Sequence, residues 1–195
     1  MSDLQYWSEA IEKQCGERVM IALRDPMLRQ ALDKIGPGLF RRSSVFHGLG
    51  DFLHEQQIRG GRCFEIGTWN GLTAAVLSRH FDEVVTVDIF DQPEKQAVFE
   101  VLGIKNVRFV HIKDNVAKAK FARTLDFDFA YVDGDHANDT EADFALTRRG
   151  GRVLFHEAWP HQPPVWDLLH TLPQNEISWN GKGLALWRDS SKGVR

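Results

Sequence analysis

Arg62-Cys63-Phe64-Glu65-Ile66-Gly67-Thr68-Trp69-Asn70-Gly71-Leu72-Thr73 reads as strand, turn and helix in immediate succession. Cys63 to Ile66 is a short run suited to a buried strand, and Leu72 to Leu77 begins a helical pattern. Gly67 lets the chain turn sharply and lets a ligand lie against the backbone. The amide N–H groups opening the next helix favour polar or negative ligand atoms. A strand entering a helix through a glycine turn is the first half of a nucleotide-binding α/β unit. The turn lacks the third glycine of the dinucleotide fingerprint, having only Gly67 and Gly71. Glu65 places a carboxylate two residues before the first glycine, which suits a cationic ligand better than a pyrophosphate.

Working outward, the next strand ends in another acid. Val84-Val85-Thr86-Val87-Asp88 is a β-branched run tipped by Asp88, at roughly the spacing of twenty residues at which such a fold places a ribose-binding acid. A third stretch, Phe127 to His136, is apolar and closes on Asp133-Gly134-Asp135-His136. Strands are predicted at 62–66, 83–88, 107–111, 127–133 and 151–156. Helices are predicted near 71–79, 93–102, 115–124 and 138–147. Such alternation calls for a parallel sheet with helices on both faces and a ligand at the carboxyl ends of the strands. Glu65, Asp88, Asp114, Asp133 and Glu157 all fall at those ends. Beyond them a helix at 163–172 precedes two short strands, 176–179 and 184–188, around Asn180-Gly181-Lys182-Gly183, which reads as a hairpin.

Upstream, Leu4 to Ile35 has helical spacing interrupted at Pro26, and Val45 to Ile58 forms a further helix with Phe46, Leu49, Phe52 and Leu53 on one side. Residues 1–59 thus form a helical cap, 60–189 the core and 190–195 a frayed tail. The chain has 195 residues, a formal net charge of −3 and two cysteines, Cys15 and Cys63. These values give no electrostatic case for nucleic acid and no disulfide framework. No signal peptide or membrane-spanning run is visible, so a membrane partner is not expected and a reduced cytoplasm is. A homodimer is compatible with the sequence.

Together the three acid-tipped stretches resemble the class I S-adenosylmethionine-dependent methyltransferases, in particular their small-molecule O-methyltransferase branch. The resemblance spans Gly60 to Arg188. It implies a Rossmann-like, doubly wound, seven-stranded, mostly parallel sheet of order 3-2-1-4-5-7-6 with a C-terminal antiparallel hairpin. Glu65 and Gly67, with Thr68 and Trp69, would flank the methionine part of S-adenosylmethionine; Asp88 would bind its ribose and Asp114 would approach the adenine amino group. Asn115 suits the N-cap of the following helix. Asp133 would border the cofactor and, with Glu157, hold a divalent metal, Mg²⁺ or Mn²⁺. His156-Glu157 stands where that branch usually has His-Asp or Asp-Asn, and His156 would favour metals softer than Mg²⁺. His136 would take the proton of a small-molecule hydroxyl acceptor, oriented by Asp135 or Asp139. Trp159 and His161 are candidates for contact with that acceptor. The competing readings are an NAD-dependent oxidoreductase and a non-catalytic protein retaining the fold.

Overall fold

The computed structural model describes residues 26–35, 48–135 and 137–192. The expected helical segment before Pro26, the Gly36-Pro37-Gly38 break, the Arg41-Arg42 pair, the start of the helix expected from Val45, and His136 all lie outside these residues.

Seven strands form one sheet of order β3-β2-β1-β4-β5-β7-β6: β1 (Arg62–Ile66), β2 (Glu83–Asp88), β3 (Val107–His111), β4 (Phe129–Val132), β5 (Arg152–Phe155), β6 (Ile177–Trp179) and β7 (Ala185–Arg188). The first five run parallel, while β7 is antiparallel to both β5 and β6. The resemblance implied this order and the terminal hairpin, and the structure has both. The parallel strands alternate with α3 (Leu72–Leu77), α4 (Glu94–Val101), α5 (Asn115–Thr124) and α6 (Thr140–Thr147). Before the sheet come α1 (Pro26–Ile35) and α2 (Leu49–Glu55); α7 (Pro163–Thr171) precedes the hairpin. Pro26 opens α1, the position at which its missing N–H costs nothing.

Alternation along each strand sorts the side chains into two cores. Cys63, Val84, Phe129 and Leu154 face one side, where α1 to α4 supply Leu28, Phe52, Leu77 and Val98. Their neighbours Phe64, Val85, Ala130 and Val153 face the other, against Ala122 of α5, Phe144 of α6 and Leu169 of α7. With both faces covered, the strands are continuously apolar rather than alternating. Glu65 is an acidic exception to this pattern, sharing the α1–α4 face with its lateral neighbours Thr86 and Tyr131.

Several elements are shorter than expected because their ends turn into loops over the site. The fourth strand stops at Val132, the fifth at Phe155, and α6 begins at Thr140. The tail is more ordered than expected. Ser190–Lys192 forms a 3-10 turn, with Ser190 donating to Glu176 and Asp189 N–H to the Gly151 carbonyl.

Candidate active site

Strand pairing continues past the strand ends and aligns their tips. Gly67 N–H donates to Val87 O at 2.9 Å, Ile112 N–H to Asp88 O at 2.9 Å, Asp133 N–H to Ile66 O at 2.8 Å and His156 N–H to Val132 O at 3.1 Å. Strand order reverses between β1 and β4, which opens the crevice where ligands bind in such sheets. Gly67 sits at this reversal with φ +96°, and a Cβ there would lie 2.0 Å from the Asp133 carbonyl oxygen. Only glycine permits the two tips to meet so closely.

A cavity of about 700 Å³ lies above them, bordered by the turn Gly67–Asn70 and by the tips of β2, β3 and β4. Its lining includes five aspartates (Asp88, Asp114, Asp133, Asp135 and Asp139) and two lysines, Lys113 and Lys118. The lining charge is therefore negative, which favours a cationic ligand.

Asp88 anchors two loops as well as bordering this space. Its Oδ2 accepts from Trp69 N–H at 2.7 Å and its Oδ1 from Phe90 N–H at 2.9 Å. Trp69, at φ +45°, is held in a left-handed turn and is 41% exposed. Thr68 is buried below the cavity wall, with its hydroxyl 2.5 Å from that of Thr86. Asn70 Oδ1 accepts from Leu72 N–H, so part of the α3 amide terminus is already occupied.

Glu65 departs from expectation in position. It is fully buried and does not line the cavity. Neither carboxyl oxygen has a hydrogen-bond partner among the described residues. Burial raises its pKa well above the ordinary carboxyl range; the neighbouring Thr86 opposes this, and the charges of Asp133 and Asp88 add to it. Glu65 thus lies beneath the site, where burial favours its neutral form, and is not an exposed anion.

Asp114, not Asn115, caps α5: its Oδ1 accepts from Ala117 N–H at 2.7 Å. Asn115 is the first helical residue and donates to Asp139 at 2.8 Å. Lys118, one turn later, is buried with its Nζ 2.6 Å from Asp143 and 3.5 Å from Asp139. The sequence reading missed Lys118, because a lysine in an amphipathic helix gives no sign that it faces a cavity. Ile89 and Phe90 were missed too, although two apolar residues directly after an acidic strand tip were a usable signal. Both border the cavity and are at least half exposed.

The expected metal site does not form. His156 Nδ1 lies 2.6 Å from Asp133 Oδ1, and no group of three or more His, Cys, Asp or Glu side chains that could hold a metal occurs among the described residues. Burial disfavours a charged His156, but the neighbouring Asp133 carboxylate, its hydrogen bond and Glu157 together raise the imidazole pKa. Its Nδ1, bonded to Asp133, is not open to a metal. Glu157 occupies a left-handed turn at φ +55° and does not line the cavity. These residues do not fit a metal, and no step is assigned to one. Asp135 bonds within its own turn, to Ala137 N–H and Asn138, while Asp139 is engaged by Asn115 and Lys118.

Residues 64–158, just under half of the chain, match the family model described as a methyltransferase domain. The fold is one that the chain shares with solved methyltransferases. It is similar to the O-methyltransferase of Bacillus cereus solved with SAH, at a TM-score of 0.59 and 14% identity, covering 94% of this chain and 99% of that one. It is similar also to an rRNA methylase from Streptococcus thermophilus, at 0.53 and 17% identity, covering 75% and 95%. A protein-L-isoaspartate O-methyltransferase from Xanthobacter autotrophicus is 42% identical over 81 residues, which is 35% of this chain and 36% of the relative. The chain thus matches about a third of the length of that curated relative. At these identities the solved structures establish the fold of this methyltransferase-like chain and leave its acceptor undefined. No described helix is long and apolar enough to cross a membrane.

Proposed function

We propose that this protein transfers a methyl group from S-adenosylmethionine to an oxygen of a small molecule. The observation that carries the reading is the cavity at the β1/β4 reversal. There the Gly67 turn and five lining aspartates, Asp88 among them, together make a space suited to a positively charged ligand. Bound there, the cofactor would supply an electrophilic methyl on a sulfonium.

The remaining roles belong to the chain itself. Gly67 and the Trp69 turn leave backbone open to the ligand, and Asp88 retains lone pairs for ribose hydroxyls beyond the two amide bonds it already accepts. Asp114 and Asp133 add negative potential at the other two tips. Glu65 is buried beneath and does not line the cavity, so the lining charge comes from these aspartates and two lysines. Transfer would gain most from alignment and a fixed electrostatic environment. A base for the acceptor hydroxyl falls to His136, directly after Asp135. An NAD-dependent reading is not favoured, because a negative cavity and a turn with two glycines suit a pyrophosphate poorly.

Calorimetric titration with S-adenosylhomocysteine and with NAD tests the proposal. Saturable binding of the first and none of the second is expected; tighter NAD binding would reverse it.

A further inference from the structure

A second cavity of about 440 Å³ opens beyond β5 and β7, on the same edge of the sheet. Three indoles border it. Trp166 of α7 and Trp179 at the end of β6 meet with ring centroids 5.4 Å apart, and His170 lies 4.4 Å from the first and 5.9 Å from the second. Trp159 forms another wall, stacked on His161 at 5.9 Å.

That wall is held in place by the hairpin turn. Gly183 has φ +93°, and a Cβ there would lie 2.3 Å from Trp159 Nε1, so the indole rests directly on bare backbone. Ala158 N–H donates to Gly183 O at 3.0 Å. Asn180 Oδ1 accepts from Lys182 N–H at 2.8 Å and Leu184 N–H at 2.9 Å, which shapes the turn beneath the ring. Large aromatic side chains gathered around an open space, rather than closed into the core, mark a binding surface.

The lining selects among ligand classes. Among the described residues no Asp or Glu borders the cavity, and Lys182 stands in the adjoining turn, so a cation would find ring faces without a described counter-charge. A sugar would need several hydrogen-bonding edges at once, and part of the small polar lining is already engaged. His170 Nδ1 lies 2.8 Å from Trp166 O, and Gln174 Nε2 donates to the carbonyls of Leu169 and Leu172. An uncharged planar ring matches what is left. The cavity is also near the first one along the chain: Trp159 lies two residues after Glu157, and the preceding His156 is bonded to Asp133 of the first cavity.

We propose that this second cavity binds an uncharged aromatic ring, and that it seats the ring-bearing part of the methyl acceptor. The second clause rests on the methyl-transfer reading; the first does not. Calorimetry on the full chain with 2-naphthol, choline and methyl glucoside as separate probes tests it. Saturable binding of 2-naphthol alone is expected, weakened roughly tenfold or more in Trp179→Ala and largely kept in Trp179→Phe. S-adenosylhomocysteine affinity should be unchanged in both, and circular dichroism should match wild type. Absence of saturable 2-naphthol binding, preference for choline or methyl glucoside, or equal 2-naphthol affinity in a folded Trp179→Ala overturns the ring site. Binding of 2-naphthol by a protein that ignores S-adenosylhomocysteine upholds the ring site and overturns its assignment to an acceptor.

Discussion

His156 donates from Nδ1 to Asp133 across the adjoining tips of β5 and β4, at 2.6 Å, with the imidazole almost wholly buried. The interaction raises the histidine pKa above its ordinary 6.5. A raised folded value means that the stabilisation is fully present below the unfolded pKa and is lost as pH climbs through the folded one. His156→Gln should therefore lower stability by about 2–3 kcal/mol near pH 6, with a smaller deficit at pH 9. Melting curves of both proteins across that range check this; a deficit independent of pH would mean that the imidazolium is not the stabilising form.

Glu65 carries the opposite kind of cost. Because its folded pKa is raised by burial, the native state holds a proton that the unfolded chain releases above about 4.5. Wild-type stability should then fall as pH rises from that point toward the folded value. Glu65→Gln cannot lose a proton, so its stability relative to wild type should improve steadily from pH 4 to pH 8. Parallel pH–stability curves for the two proteins would show that Glu65 is not held neutral.

Asp88 joins two loops and borders the cavity at the β1/β4 reversal. Asp88→Ala leaves the Trp69 and Phe90 amides without their acceptor and removes a partner for ligand hydroxyls. Binding of S-adenosylhomocysteine should weaken more than roughly tenfold by calorimetry. Wild-type affinity in the variant would remove Asp88 from the site.

Gly67 tolerates no side chain. In Gly67→Ala the methyl would collide with the Asp133 carbonyl at a positive φ, so the β1 and β4 tips must separate. A loss of about 3 kcal/mol in urea denaturation is expected, together with loss of S-adenosylhomocysteine binding. A folded variant of unchanged affinity would show that the close approach is dispensable.

Chelation offers a further check. Since Asp133 is engaged by His156 and Glu157 is not among the residues lining the cavity, EDTA should leave S-adenosylhomocysteine affinity unchanged. A marked drop after chelation would restore a metal to the site.

Much of this architecture was legible before any coordinates. The apolar run ending at Ile66, the β-branched run ending at Asp88 and the stretch ending at Asp133 located three neighbouring strand tips correctly. The helix and strand limits were less legible. The chain leaves β4 after Val132 to make room for the Asp133-Gly134-Asp135 turn, and apolar character alone does not mark that departure. Glu65 shows the limit most clearly. From the sequence it is one more acid at a strand end, yet the alternation that puts Phe64 and Ile66 in one core turns Glu65 toward the other face.

Local periodicity and glycine placement determined the alternating strands and helices and the edge on which a ligand would lie, because those signals arise between residues close in sequence. The pairing of His156 with Asp133, twenty-three positions apart, was decided by tertiary structure. So were the burial of Glu65 and the gathering of Trp159, Trp166 and Trp179 around one space. Register and crossover determine which side chains become neighbours, and a side chain's charge state and partners follow from those neighbours rather than from its own identity.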